Sequence, residues 1–158
     1  ITEATLKLVA KPQYVRTAVA IFDQLEDASR TVNAVLMQGL VPATMELMDN
    51  TAIVCIEEAM HLGLPVEKDA ILIIESDGFD DEVVQHEIET IARICQETGA
   101  TEVKVAQNEK ERAELWKARR SVSPSLARRA PNKLGEDISV PRSQIPEAVR
   151  RIKEISKK

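Results

Sequence analysis

The residues best equipped for chemistry lie in one stretch, Leu115-Trp-Lys-Ala-Arg-Arg120, followed by Ser121, Ser123, Ser125, Arg128, Arg129 and Lys133. Trp116 is the only tryptophan of the chain and stands three residues before Arg119 and four before Arg120. On a helix both arginines lie a turn from it, but on different sides of its column. At most one of them lines a pocket with Ser123, and Arg119, four residues before that serine, can do so. A guanidinium beside a hydroxyl is a carboxylate clamp, because the planar fork matches two oxygens at once. The competing reading is a solvated helix held by i,i+4 pairs of Glu111 or Glu114 with nearby Arg and Lys, and spacing alone favours it. Nucleic-acid binding fits poorly: the cluster lacks interleaved aromatics and sits in a chain of net charge −5.

Other candidates carry less. His61 and His86 are isolated, without a second His or a Cys at ligand spacing, so no metal site is expected in this chain. No nucleophile elbow, P-loop or HExxH motif occurs. Glu46 and Asp49 interrupt the apolar stretch Met45-Glu-Leu-Met-Asp49. Glu46 reads as a residue of a wet strand face, an ion-pair partner for one of the arginines, or a site acid, with the structural roles favoured. The acids of Glu75-Ser-Asp-Gly-Phe-Asp-Asp81 are explained by a turn and a helix N-terminus, where negative charge suits the dipole. Cys55 and Cys95 lie in apolar helical stretches and read as buried thiols of a reducing, cytoplasmic compartment.

These side chains have to be positioned by a folded frame. At 158 residues the chain is one domain on length, and a chain of that size buries roughly 70% of its unfolded surface. With 44% hydrophobic but only 3% aromatic residues, the core must be aliphatic. No apolar run is long enough to span a membrane. Strands are expected over Thr5–Val9, Thr17–Phe22, Ala43–Met48, Ala70–Ile74 and Thr101–Ala106. Ala70–Ile74 is the most continuous apolar run and reads as a central strand covered on both faces; Thr101–Ala106 alternates and reads as an edge.

Helices are expected from an Asp23 cap to Gly39, over Thr51–Leu62, and over Asp80–Thr98, where Val84, Ile88, Ile91 and Cys95 share a face. A charged helix then runs from Glu109 to Ala127 with Pro124 as an interruption. Arg128–Leu134 reads as a basic loop, Glu136–Pro141 as a short strand, and a last amphipathic helix follows Ser143, with Pro146 in its first turn. Two β-α-β units side by side predict an α+β fold, ferredoxin-like (split βαβ). Its antiparallel sheet should carry helices on one face, with a C-terminal helix-strand-helix extension. A parallel doubly wound sheet is the alternative, but no Gly-rich phosphate loop follows any strand.

Four stretches in order resemble a known family. They are Pro42-Ala-Thr-Met-Glu-Leu-Met-Asp49; Ile71-Leu-Ile-Ile-Glu75 with Asp77-Gly78; Leu115-Trp-Lys-Ala-Arg-Arg120; and Glu136-Asp-Ile-Ser-Val-Pro-Arg142 leading to Ile145-Pro146. Together they are similar to the C-terminal (cap) domain of FAD-linked oxidases of the glycolate oxidase and D-lactate dehydrogenase type. The resemblance implies oxidation of a D-2-hydroxy acid to a 2-oxo acid, with FAD bound by an N-terminal domain of the same polypeptide and not by this chain. It also implies that Arg119 binds the substrate carboxylate, with support from the Ser123 hydroxyl.

Departures limit what carries over. The family's histidine-rich metal motif is expected downstream of Lys158, so no catalytic residue, flavin contact or metal ligand is expected here. Relatives often have a lysine shortly before the Asp of the last strand. Here Gly135 and Glu136 precede Asp137, and Lys133 is only the nearest candidate, so that role is not transferred. Both ends read as cuts in a longer polypeptide. The expected partners are that FAD-binding domain and a small 2-hydroxy acid, with neither nucleic acid nor a membrane; a homodimer through uncovered apolar surface is left open. A freestanding ferredoxin-like module that binds a small molecule or a protein is the rival reading.

Overall fold

The computed structural model describes residues 1–129, 132 and 135–156. The chain runs β1 (Tyr14–Phe22), α1 (Leu25–Met37), β2 (Thr44–Asp49), α2 (Asn50–Met60), β3 (Ala70–Gly78), α3 (Asp81–Glu97) and β4 (Ala100–Val105). It continues through α4 (Glu109–Arg120), α5 (Val122–Arg129), a short 3-10 turn (Arg142–Gln144) and α6 (Ile145–Ile155). The strands form one four-stranded sheet in the order β2-β3-β1-β4, and every neighbouring pair is antiparallel. Each β-α-β unit straddles a strand of the other: β3 lies between β1 and β2, and β1 between β3 and β4. That is the expected split βαβ fold.

β1 and β3 pair along their whole length, from Tyr14 opposite Gly78 to Phe22 opposite Ala70. Over residues 18–22 and 70–74 both strands are apolar on both sides. Ala18, Ala20, Phe22, Leu72 and Ile74 pack with Leu25, Ala28 and Val35 of α1 and with Ile88, Ile91, Ile94 and Cys95 of α3. Val19, Ile71 and Ile73 point the other way and pack with Met48, Ala52, Ile53 and Ile56, with Leu115, Trp116 and Val122 against them. The expectation of helices on one face is therefore corrected. α2, which replaces the β2–β3 hairpin, covers the second face together with α4 and α5. A strand without a polar side must be covered twice, as Ala70–Ile74 itself implied.

Two expected strands are absent. Thr5–Val9 belongs to no element, and Leu6, Leu8 and Val9 are 76%, 87% and 87% exposed. Glu136–Pro141 likewise joins no ladder, and Ile138 is 68% exposed. A strand exists only where a partner takes its hydrogen bonds, and a few alternating residues do not supply one. The C-terminal extension thus consists of helices without a strand between them among the described residues. Lys133, in the basic loop, lies outside them.

Local chemistry sets the helix ends. Asp49 caps α2 by accepting from Ala52 N at 3.0 Å, and Asp80 caps α3 through Glu82 N and Val83 N at 3.0 and 3.2 Å. Asn108 caps α4 through Glu111 N at 3.0 Å, while Glu111 accepts from Gln107 N at 2.9 Å. Asp23 does not cap α1. Gln24 holds that position without a side-chain bond, and the Asp23 carboxylate accepts from Lys68 Nζ at 2.7 Å instead. α2 stops at Met60 because His61 turns left-handed, with φ of 50°. Gly99, at φ of 110°, makes the turn from α3 into β4.

Candidate functional site

β1, β2 and β3 place three polar side chains on the face that α4 crosses. Thr17 stands directly opposite Glu75, and Glu46 stands opposite Ile73, two residues before Glu75. α4 meets them with Arg112, Trp116 and Arg119, a spacing of i, i+4 and i+7 that forms one helix face.

Glu75 is the anchor. Its Oε2 accepts from Thr17 Oγ1 at 2.7 Å, Trp116 Nε1 at 2.8 Å and Arg112 Nε at 2.9 Å, and its Oε1 accepts from Arg112 Nη2 at 3.1 Å. The Glu75 side chain is only 12% exposed. Burial pushes its carboxyl up, but the bonds from Arg112, Thr17 and Trp116 outweigh it and hold the group below the usual carboxylate range. The expectation that Glu75 serves a helix dipole is corrected: it lies inside β3 and fastens α4 to the sheet, whereas Asp80 and Asp81 meet the α3 N-terminus.

One turn beyond Trp116, Arg119 donates from Nε to Glu46 Oε2 at 2.9 Å, with side chains 38% and 33% exposed. Glu46 is thus an ion-pair partner of one arginine, and Arg119 is that arginine. Arg120 is exposed and donates only a long bond, 3.4 Å, to Ala113 O among the described residues.

Arg119 lines a groove of about 680 Å³ along the free edge of β2. Its floor is the β2–α2 junction, with Leu47 and Asp49. One wall is Arg119 with Val122 and Leu126 of α5, and the opposite wall is Val149, Ile152 and Lys153 of α6. Lys153 is engaged by Asp69 at 3.2 Å and Glu26 at 3.7 Å. The groove is mainly aliphatic, with Arg119 as the cation of its α4–α5 wall. Ser123 is exposed on α5, past the break at Ser121, and is not among the side chains that line the groove. The i,i+4 relation to Arg119 therefore spans two helices, not one.

A second, polar cleft of about 370 Å³ lies beside Arg16, Gln85, Asn108 and Arg112. Both of its arginines are committed: Arg16 to Asp81 and Gln85, Arg112 to Glu75 and Glu109. His61 and His86 are both exposed, and no group of three or more His, Cys, Asp or Glu among the described residues could hold a metal ion. Cys55 and Cys95 are buried, free and set on α2 and α3, which cover opposite faces of the sheet. No helix among the described residues is long and apolar enough to cross a membrane.

Sequence reasoning found Arg119 but missed Arg112 and the role of Glu75. The signal was present. Arg112, Trp116 and Arg119 share a helix face, and Glu75 and Glu46 are acids on strand faces otherwise apolar.

Fold and site together define a ferredoxin-like α+β domain that presents one paired guanidinium on the wall of an aliphatic groove. Residues 11–158 match the family model described as FAD linked oxidases, C-terminal domain. The chain belongs to this family. It is 39% identical over 158 residues to the glycolate oxidase subunit GlcD of Bacillus subtilis (strain 168), covering all of this chain and 33% of that protein. It is 36% identical over 155 residues to the protein of the same name from Escherichia coli (strain K12), covering 98% of this chain and 31% of that one. A D-lactate dehydrogenase of Anaerostipes hadrus is 30% identical over 127 residues, 75% of this chain and 26% of the relative. The chain thus spans about a third of the length of the GlcD relatives it matches. Among solved structures, an alkyldihydroxyacetonephosphate synthase superposes with a TM-score of 0.53 at 15% identity, over 74% of this chain and 24% of that one. This last likeness concerns the fold alone.

Proposed function

We propose that this chain is the substrate-side cap domain of an FAD-linked oxidoreductase that oxidises a D-2-hydroxy acid, glycolate- or lactate-like, to the 2-oxo acid. The observation that carries the reading is Arg119, a guanidinium steadied by Glu46 at 2.9 Å on the wall of an aliphatic groove, in a chain of this family. Arg119 binds the substrate carboxylate through its fork, and the hydroxyl of Ser123, four residues on, supports it. The aliphatic side chains of Val122, Leu126 and Val149 exclude water from that contact.

FAD is the cofactor the family implies, and the groove does not suit its pyrophosphate. Such a group is held by free amides at a helix N-terminus. The Ala52 amide at the start of α2 instead donates to the Asp49 carboxylate, and Asp49 and Asp69 both line the groove. We assign the flavin to an FAD-binding domain of the same polypeptide, with this chain as one wall of the substrate pocket. Two buried free thiols support a reducing, cytoplasmic setting.

The test is a turnover assay of the full-length, FAD-loaded protein with glycolate and D-lactate, with dye reduction followed and the 2-oxo acid identified as product. Formation of glyoxylate or pyruvate is expected. Flavin-loaded protein that oxidises no 2-hydroxy acid would refute the reading.

A further inference from the structure

We infer that Glu46 is the positioning residue for Arg119, holding the guanidinium so that its end-on fork faces the groove. The inference rests on the reading that Arg119 binds the substrate carboxylate.

The geometry is specific. Glu46 Oε2 engages only Nε of Arg119, at 2.9 Å, and among the described residues Nη1 and Nη2 have no partner. A guanidinium offers two hydrogen-bonding edges, one along Nε and one between the two terminal nitrogens. A carboxylate oxygen on the first edge fixes the last torsion of a flexible side chain and leaves the second edge for a planar anion. Both side chains remain about a third exposed, and Arg119 lines the groove.

The alternative, that Glu46 merely docks α4 on the sheet, is weakened by Glu75. Arg112 grips Glu75 with two nitrogens, at 2.9 and 3.1 Å, and Trp116 adds a third bond at 2.8 Å. α4 is thereby anchored one and two turns before Arg119. Glu46 lies on β2, 73 residues away in sequence, and touches the helix through the guanidinium. It acts on the direction of Arg119, not on the seat of the helix. Its charge also balances the guanidinium while the groove is empty.

The experiment is steady-state kinetics of the full-length, FAD-loaded enzyme with glycolate and D-lactate. The variants are Glu46→Ala, Glu46→Gln, Arg119→Ala and the double variant Glu46→Ala with Arg119→Ala. Glu46→Ala is expected to raise KM about tenfold while kcat stays within about threefold, as for loss of an interaction equal in ground and transition states. Glu46→Gln retains an acceptor oxygen for Nε and is expected to recover most of that loss. With Arg119 already removed, Glu46→Ala should add less than about twofold, since coupled residues are not additive. If Arg119→Ala raises KM and Glu46→Ala does not, the inference is overturned and the proposed function stands. Additive effects in the double variant, or a fall in flavin content with no KM change, overturn it equally. If Arg119→Ala itself leaves KM unchanged, the carboxylate role of Arg119 fails and the inference fails with it, while oxidation of a 2-hydroxy acid is decided separately by the turnover assay.

Discussion

Replacing Glu75 should cost this domain more than any other single polar substitution in it. The carboxylate is 12% exposed and accepts four hydrogen bonds from Thr17, Arg112 and Trp116, at 2.7 to 3.1 Å. In Glu75→Ala the Thr17 hydroxyl and the Trp116 indole lose their acceptor, and Arg112 keeps only Glu109, at 3.0 Å. Breaking a fully buried ion pair costs about 3–5 kcal/mol. Arg112 is 29% exposed and retains that second carboxylate, which lowers the figure; two stranded donors at roughly 1 kcal/mol each raise it. The expected loss is about 2–4 kcal/mol, or roughly 5–12 °C in Tm for a domain of this size.

Urea unfolding followed by far-UV circular dichroism measures it, with an unchanged m-value as the control. The loss must also depend on pH. The folded-state carboxyl titrates below its usual range, so its contribution is complete above the unfolded value near about 4.3 and disappears as pH falls through the lower folded value. The gap between wild type and Glu75→Gln should therefore be constant from neutral pH to about pH 5 and close below about pH 4. A loss under about 1 kcal/mol, or a gap that widens in acid, would refute the reasoning.

Further outcomes follow from the same geometry. Asp80→Ala removes an acceptor shared by Glu82 N and Val83 N and should destabilise by about 1 kcal/mol in urea unfolding. Burial pushes the Cys95 thiol up to about 12, so at pH 8 it should react with a disulfide reagent only as fast as the domain opens, and a fast native-state reaction at Cys95 would contradict its position. Under the proposed function, Ser123→Ala in the full-length, FAD-loaded protein should raise KM for glycolate roughly two- to fivefold, the size of one modest hydrogen bond, with kcat nearly unchanged.

What the sequence could and could not disclose divides by distance along the chain. α3 was legible because Val84, Ile88, Ile91 and Cys95 repeat at helical spacing, and all four are buried on one side. The central position of β3 and the edge position of β4 were legible from continuous and alternating apolar residues. Thr5–Val9 and Glu136–Pro141 misled because alternation describes a surface and not the partner that must pair with it. The site was half legible for the same reason. An acid at Glu46 and an arginine at Arg119 were both visible, but their pairing spans 73 residues. The Glu75 cluster needs the register that sets Thr17 against Glu75 and brings Arg112 across 37 residues, which no local pattern encodes.

Carboxylate binding by Arg119, as proposed, is measured most directly in the full-length, FAD-loaded protein. Steady-state oxidation of glycolate and D-lactate should be compared for wild type, Arg119→Lys and Arg119→Ala, alongside flavin content and thermal stability. The expected result is a fall in kcat/KM of about tenfold or more for Arg119→Ala, carried mainly by KM and only partly restored by lysine, whose point charge lacks the planar fork. Flavin content and Tm should stay near wild type. Unchanged kcat/KM in a stable, flavin-loaded Arg119→Ala enzyme would contradict the claim.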